Sequence, residues 1–284
     1  VTIAPEPLRG EYVPQAFADR ILLHVCRNQV PALEPPLILA VQGPMGCGKS
    51  WQTRRVCARK RIPVVSISGS ELSGQHEKAS VEVLHDAYTR AATADPERPS
   101  VLLIDDFHLS SASTFANREY TVNSQLLVGA LMNLADDPTQ CGQLKLRRTA
   151  IIVTGNDFTA LYGPLTRYGR MDFFDWQPTA DDKFHVVQAL FQQVLGEARD
   201  EGARALVDRF PNESVAFFAS VRTRLYDAVI LRWLAAGELK FKLLEQQVRA
   251  IGHFTPAEVL KQADELRASR PRDFIAGCDT RTEG

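Results

Sequence analysis

Cysteine is scarce and disordered in its spacing. Five cysteines stand at positions 26, 47, 57, 141 and 278, an odd number with no C-x-x-C pair. That excludes a disulfide framework and a thiolate zinc site, and points to a reducing compartment. The six histidines lack metal-ligand spacing. Net charge is nearly absent: −1 over 284 residues, with pI near 6.7. A chain so balanced exerts no general pull on nucleic acid. The single basic run is "RRVCARKR", Arg54 to Arg61, read first as a solvated helix face or a subunit contact. No apolar run is long enough to span a membrane, and no signal peptide opens the chain. Val1 in place of Met points to a processed or trimmed chain, which leaves a removed targeting segment open.

What is present is ordinary in bulk and specific in detail. Hydrophobic residues make up 45% and charged residues 24%, a globular composition long enough for one large domain or two smaller ones. The first eleven residues read as a flexible arm, and "FADRILLHVCRNQ" (17–29) as a helix. Strands are expected at 37–42, 63–68, 101–105, 149–154 and 172–176, with helices near 49–60, 77–94 and 122–135 between them. This alternation predicts an α/β fold, a mostly parallel sheet covered on both faces. After residue 178 helical periodicity takes over: 181–197, 200–209, 213–236, 238–250 and 255–268. The expected organisation is an arm (1–11), an α/β domain (12–178), a smaller helical lid domain (179–268) and a frayed tail (269–284).

The first α/β crossing carries chemistry. In "LILAVQGPMGCGKSWQ" (37–52), Gly43-Pro44-Met45-Gly46-Cys47-Gly48-Lys49-Ser50 fits G-x-x-x-x-G-K-[ST] between a strand and a helix. Glycines allow the backbone N–H groups to turn inward, and the helix N-terminus that begins near Trp51 adds positive partial charge. Lys49 would reach the β- and γ-phosphates, and the Ser50 hydroxyl would bind Mg²⁺. Cys47 reads as a spacer within the loop.

Three further segments could complete the site. "SVLLIDDFH" (100–108) ends a buried strand on Asp105-Asp106, where one carboxylate can hold the metal's water shell and another polarise the attacking water. "TAIIVTGNDF" (149–158) ends a third strand near Asn156, which could orient water. "LTRYGRMDFF" (165–174) puts Arg167 and Arg170 three apart, on one side if helical; these residues alone favour surface arginines over a phosphate role supplied to a neighbouring subunit. In "FFASVRTRLYDAV" (217–229), Arg222 and Arg224 cannot share a helix face, so only Arg222 is a candidate to reach the nucleotide.

The ordered set resembles an AAA+ ATPase, and "YTVNSQLLVGALMNLADDPT" (120–139), "IIVTGNDFTALYGPLTRYGRMDFFDWQPTADD" (151–182), "DRILLHVCRNQ" and "FPNESVAFFASVRTRLYD" (210–227) resemble the Rubisco activase family over roughly residues 12 to 235. The resemblance implies that Asn156 is the first sensor, that Arg167 and Arg170 are arginine fingers, and that Arg222 is the lid sensor. It further implies ATP and Mg²⁺ as cofactors, a hexameric ring, Rubisco as client, and no membrane or nucleic-acid partner. The location implied is the soluble phase, bacterial cytoplasm or plastid stroma. The chain departs from the family in having Asp-Asp rather than Asn-Asp at 105–106, in "HLSSASTFANRE" (108–119) where a Gly-rich pore segment is usual, in "ISGSELSGQHEK" (67–78) at the first pore loop, and after residue 236.

Overall fold

The computed structural model describes residues 10–73, 79–107, 118–159, 161–237 and 241–269. Most of the N-terminal arm, residues 74–78 and 108–117 of the two expected pore segments, and the tail beyond 269 lie outside the described residues.

The chain divides into two compact units. The α/β unit spans 13–177. It runs α1 (Gln15–Arg27), β1 (Ile38–Gln42), α2 (Lys49–Arg59), β2 (Val64–Ser68), α3 (Ala79–Thr93), β3 (Val101–Asp105), α4 (Arg118–Asp136), a short hairpin β4 (Gln140–Cys141) and β5 (Leu144–Lys145), then β6 (Ala150–Thr154) and β7 (Met171–Asp175). Five strands form one parallel sheet in the order β2-β3-β6-β1-β7, in register from Ile38 opposite Ile151 and Val101 opposite Ala150. β1, β3 and β6 are continuous apolar runs because both faces are covered. Leu39, Val41, Leu103 and Ile152 pack with α1 and α2 on one side. Ile38, Ala40, Leu102, Ile104, Ile151 and Val153 pack with α3 and α4 on the other. Each such Leu, Ile or Val side chain stabilises the fold by about 1.5–3 kcal/mol. The edge strand β7 is tied down by Arg20, which donates to the Asp172 carboxylate at 2.6 Å and to the Phe173 carbonyl at 3.2 Å.

The helical unit takes Gly10–Tyr12 and residues from 178 onward. Gly10 N–H donates to the Ala189 carbonyl at 2.9 Å, and Tyr12 lies against His185. Its helices are α5 (Ala180–Leu195), α6 (Arg199–Arg209), α7 (Val215–Arg224), α8 (Asp227–Ala235), α9 (Phe241–Arg249) and α10 (Pro256–Ala268). Thr179 with Asp182 and Thr255 with Glu258 form capping boxes that start α5 and α10. Phe191, Phe210, Phe217, Phe218 and Val221 form its core.

One expectation needs correction. The single helix at 213–236 is two. Hydrogen bonds from Tyr226 N to Thr223 O and from Val229 N to Tyr226 O tighten the chain between them. No Gly or Pro marks the break; Leu225 is drawn into the core and Tyr226 packs edge-on against Phe254. The β4–β5 hairpin had no expectation at all, since two-residue strands carry no period.

Candidate functional site

The order β3-β6-β1 makes three strand ends neighbours. All three point the same way, so the loop after β1, the acids after β3 and the Gly155-Asn156 turn after β6 meet at one edge. Backbone bonds lock them: Gly155 N–H donates to Val41 O at 3.1 Å, and Phe107 N–H to Thr154 O at 2.8 Å.

The glycine loop has the conformation its composition predicts. Gly43, Gly46 and Gly48 have positive φ, and a Cβ on Gly43 would collide with the Trp176 carbonyl oxygen. Gly48 leads directly into α2. Lys49 is only 6% exposed, and its Nζ donates to Gly43 O (2.8 Å), Pro44 O (3.0 Å) and Asn156 Oδ1 (3.3 Å). These oxygens are neutral. A buried ammonium held by neutral carbonyls is an unbalanced charge, which an anion would compensate. Cys47 is buried beside it, and burial pushes its thiol pKa up. Met45 is exposed, and Pro44 contributes through its carbonyl. Trp51 is half-buried with the Arg55 guanidinium 5.5 Å from its ring centre.

Asp105 is the hub. Its Oδ1 accepts from Ser50 Oγ and, at 2.7 Å, from Thr154 Oγ1; its Oδ2 accepts from Arg54 at 2.8 Å. Ser50 and Thr154 hydroxyls are 3.1 Å apart. Burial pulls the Asp105 pKa up, but the bonds from Ser50, Thr154 and Arg54 outweigh it and hold the carboxyl below its ordinary value. The groups here that could ligate a metal, on Ser50, Asp105 and Thr154, are all oxygens, the set a hard divalent cation prefers. Asp106 is exposed, with φ +50, and its N–H donates to Thr154 Oγ1 at 3.2 Å. That left-handed turn brings its carbonyl over Gly69, where a Cβ would collide with it.

Thus Gly43 to Ser50, Asp105, Asp106 and Asn156 are brought together. Arg167 and Arg170, within the same unit, are not part of that group. Arg170 is clamped within its own unit: Nε and Nη2 reach the two Asp136 oxygens at 2.7 and 2.6 Å, and Nη1 reaches Pro164 O at 2.7 Å. That hydrogen-bonded pairing depresses the Asp136 pKa and raises that of Arg170. Arg167, by contrast, is exposed beside the almost fully exposed Tyr168. Arg222 stands half-buried on α7, in the helical unit. Two residues were missed. Thr154 had a signal, a hydroxyl ending an apolar strand next to Gly155. Arg54 had none beyond membership of the basic run.

Comparison with known proteins adds the lineage. Residues 39–178 match the family described as ATPase family associated with various cellular activities (AAA). Residues 180–260 match ribulose bisphosphate carboxylase/oxygenase activase, AAA, helical. The chain is 35% identical to the chloroplastic ribulose bisphosphate carboxylase/oxygenase activase A of Hordeum vulgare over 236 residues, 80% of this chain and 50% of that protein. It is 36% identical to the activase of Anabaena sp. over 229 residues, 77% of this chain and 55% of that protein. The chain spans about half the length of these relatives. Among the described residues no helix is long and apolar enough to cross a membrane. With a parallel sheet that carries the glycine loop on β1, the acid on β3 and the asparagine after β6, followed by an activase-type helical unit, the chain belongs to the AAA ATPase family, in its Rubisco activase branch.

Proposed function

We propose that this chain binds and hydrolyses ATP at the Gly43–Ser50 loop and uses the energy to remodel a protein client, with inhibited Rubisco as that client. The observation that carries it is the buried Lys49 ammonium among neutral oxygens, one residue from a Ser50–Asp105–Thr154 cluster of oxygens. The loop N–H groups of Gly43 and of Met45 to Ser50 wrap the phosphates, Lys49 balances their charge, and Trp51 lies in the first turn of α2, whose N-terminus faces them. Ser50 and Asp105, with Asp106 beside them, would hold Mg²⁺, which when bound neutralises phosphate charge and polarises the phosphoryl group. Asp106 would polarise the attacking water and Asn156 would orient it. Arg167 and Arg170 serve a neighbouring subunit's nucleotide in a hexameric ring. Arg167 is free to reach out, while Arg170 would first have to leave Asp136. Arg222 answers from the helical unit. The relatives' names, Rubisco activases of a chloroplast and of Anabaena sp., support Rubisco as client; its release from inhibitory sugar phosphates and a setting in the soluble phase of a bacterial cytoplasm or plastid stroma belong to the same proposal. The near-neutral charge speaks against nucleic acid.

The test is recovery of Rubisco inhibited by ribulose bisphosphate, measured with ATP, with a non-hydrolysable analogue and with Lys49→Ala, across several Rubisco forms. Recovery with ATP alone supports the full proposal. ATP turnover without recovery of any form moves the client elsewhere. Lys49→Ala should weaken ATP binding by at least about thirtyfold, the loss of one charged hydrogen-bond donor; unchanged binding would remove the loop from the mechanism.

A further inference from the structure

The two oxygens of Asp105 keep different company. Oδ1 faces the hydroxyls of Ser50 and Thr154; Oδ2 faces a fixed positive charge, Arg54. Arg54 follows Ser50 by four residues on α2, so the two side chains rise from one helix face. The same guanidinium nitrogen also donates to Ser66 Oγ at 2.9 Å, on β2. Its side chain is 45% exposed against 20% for Asp105, so it can swing away without opening the core. A guanidinium does not lose its charge at any working pH.

We propose that Arg54 is a built-in rival cation: it holds the carboxylate that faces the metal, and so sets the free Mg²⁺ concentration at which this pocket takes up a metal–nucleotide complex. The inference rests on the nucleotide-binding reading of the Gly43–Ser50 loop and goes beyond it, because it gives part of the basic run a task. When Arg54 gives up Oδ2, the carboxylate is freed for a cation's water shell. When it stays, its own charge stands in for part of the missing cation and lets nucleotide bind without metal. Arg54 is a positioning residue here, acting through Asp105.

The experiment uses the full chain and a fluorescent ATP analogue followed by anisotropy, at a series of fixed free Mg²⁺ concentrations and in EDTA, with no turnover measured. In Arg54→Gln the half-saturating Mg²⁺ falls about tenfold, the size of repulsion expected between a guanidinium and a divalent cation sharing one carboxylate at an exposed site. In EDTA the same variant binds nucleotide several-fold more weakly. Arg54→Lys keeps the charge and stays near wild type. Loss of a merely structural contact would weaken binding at every Mg²⁺ concentration, so the opposite signs are diagnostic. A half-saturating Mg²⁺ in Arg54→Gln equal to or above wild type overturns the proposal. Should thermal melting show that variant to be unfolded, Ser66→Ala loosens the same guanidinium from β2 and should shift the Mg²⁺ requirement down by a smaller factor; no shift there overturns it as well. If wild type binds no nucleotide even at saturating Mg²⁺, the loop reading fails and the proposal with it.

Discussion

The α/β unit and the helical unit solve different problems with the same kind of apolar side chains. In the first, a parallel sheet forces every strand to end at the same edge, so residues far apart in sequence, such as Ser50, Asp105 and Thr154, fall within hydrogen-bonding distance. In the second, phenylalanines from α5, the end of α6 at Phe210 and α7 close a core, but nothing in bundle geometry directs polar ends to one point. Arg222 lies on α7, where its charge bears on Tyr226. A site on strand ends can be inferred from the order of its motifs. A functional residue on a bundle helix cannot, because its partner need not lie in the same unit.

Four measurements would break or sharpen this contrast. The largest effect is expected where the chain reaches outward. Arg167→Ala should lower ATP turnover about a thousandfold while leaving ATP binding in place, as for an arginine finger supplied in trans. Turnover within a few-fold of wild type would deny the loop that role.

Next comes a core lesion in the helical unit. Phe218 is fully buried against Phe217, and Phe218→Ala should cost that unit about 3–5 kcal/mol. If the two units unfold separately, nucleotide binding at the glycine loop persists at temperatures above the helical unit's unfolding. Joint loss of both at the same temperature would show one cooperative body.

The third effect belongs to the α/β unit alone. His24, on α1, is buried with its Nε2 3.1 Å from the Ile151 carbonyl. Burial is the main cause of its pKa falling to about 4. A histidine depressed in the folded state resists protonation that the unfolded chain accepts below about 6.5. Its stability contribution is therefore complete above pH 6.5 and is lost as pH falls toward 4, by up to about 3 kcal/mol. Chemical denaturation at pH 7 and pH 4.5 should show this loss, and His24→Gln should flatten it. The charges around it are Asp172, which favours protonation, and Arg20, which opposes it.

The smallest effect is on the loop that carries the two arginines. Asp136→Asn removes the charge that clamps Arg170, and because Asp136 is half exposed the cost should be only about 1 kcal/mol. Its value lies in the direction of turnover. A rise would mean that Arg170 is freed for a neighbouring nucleotide, and a fall that its clamp keeps Arg167 in place.

Much of this was legible beforehand for physical reasons. A two-face-buried strand reads as a short apolar run, so β1, β3 and β6 were found within a residue or two. Three glycines before Lys49-Ser50 announce positive φ and a helix start, and the loop has both. The split between α7 and α8 was not legible, because neither Gly nor Pro encodes it and only the packing of Leu225 and Tyr226 requires it. Arg54 was lost in a run of basic residues, where composition gives every arginine the same weight.

By itself, then, the sequence determined the α/β-then-helical order, the glycine loop between a strand and a helix, and the acids and asparagine at neighbouring strand ends, because local periodicity and backbone freedom are properties of neighbours along the chain. Only the tertiary structure decided which oxygen of Asp105 faces Arg54, that Thr154 joins Ser50 there, and that Arg170 is held by Asp136 while Arg167 is exposed. Those outcomes depend on strand order and register, which bring together residues dozens of positions apart, and no local pattern records them.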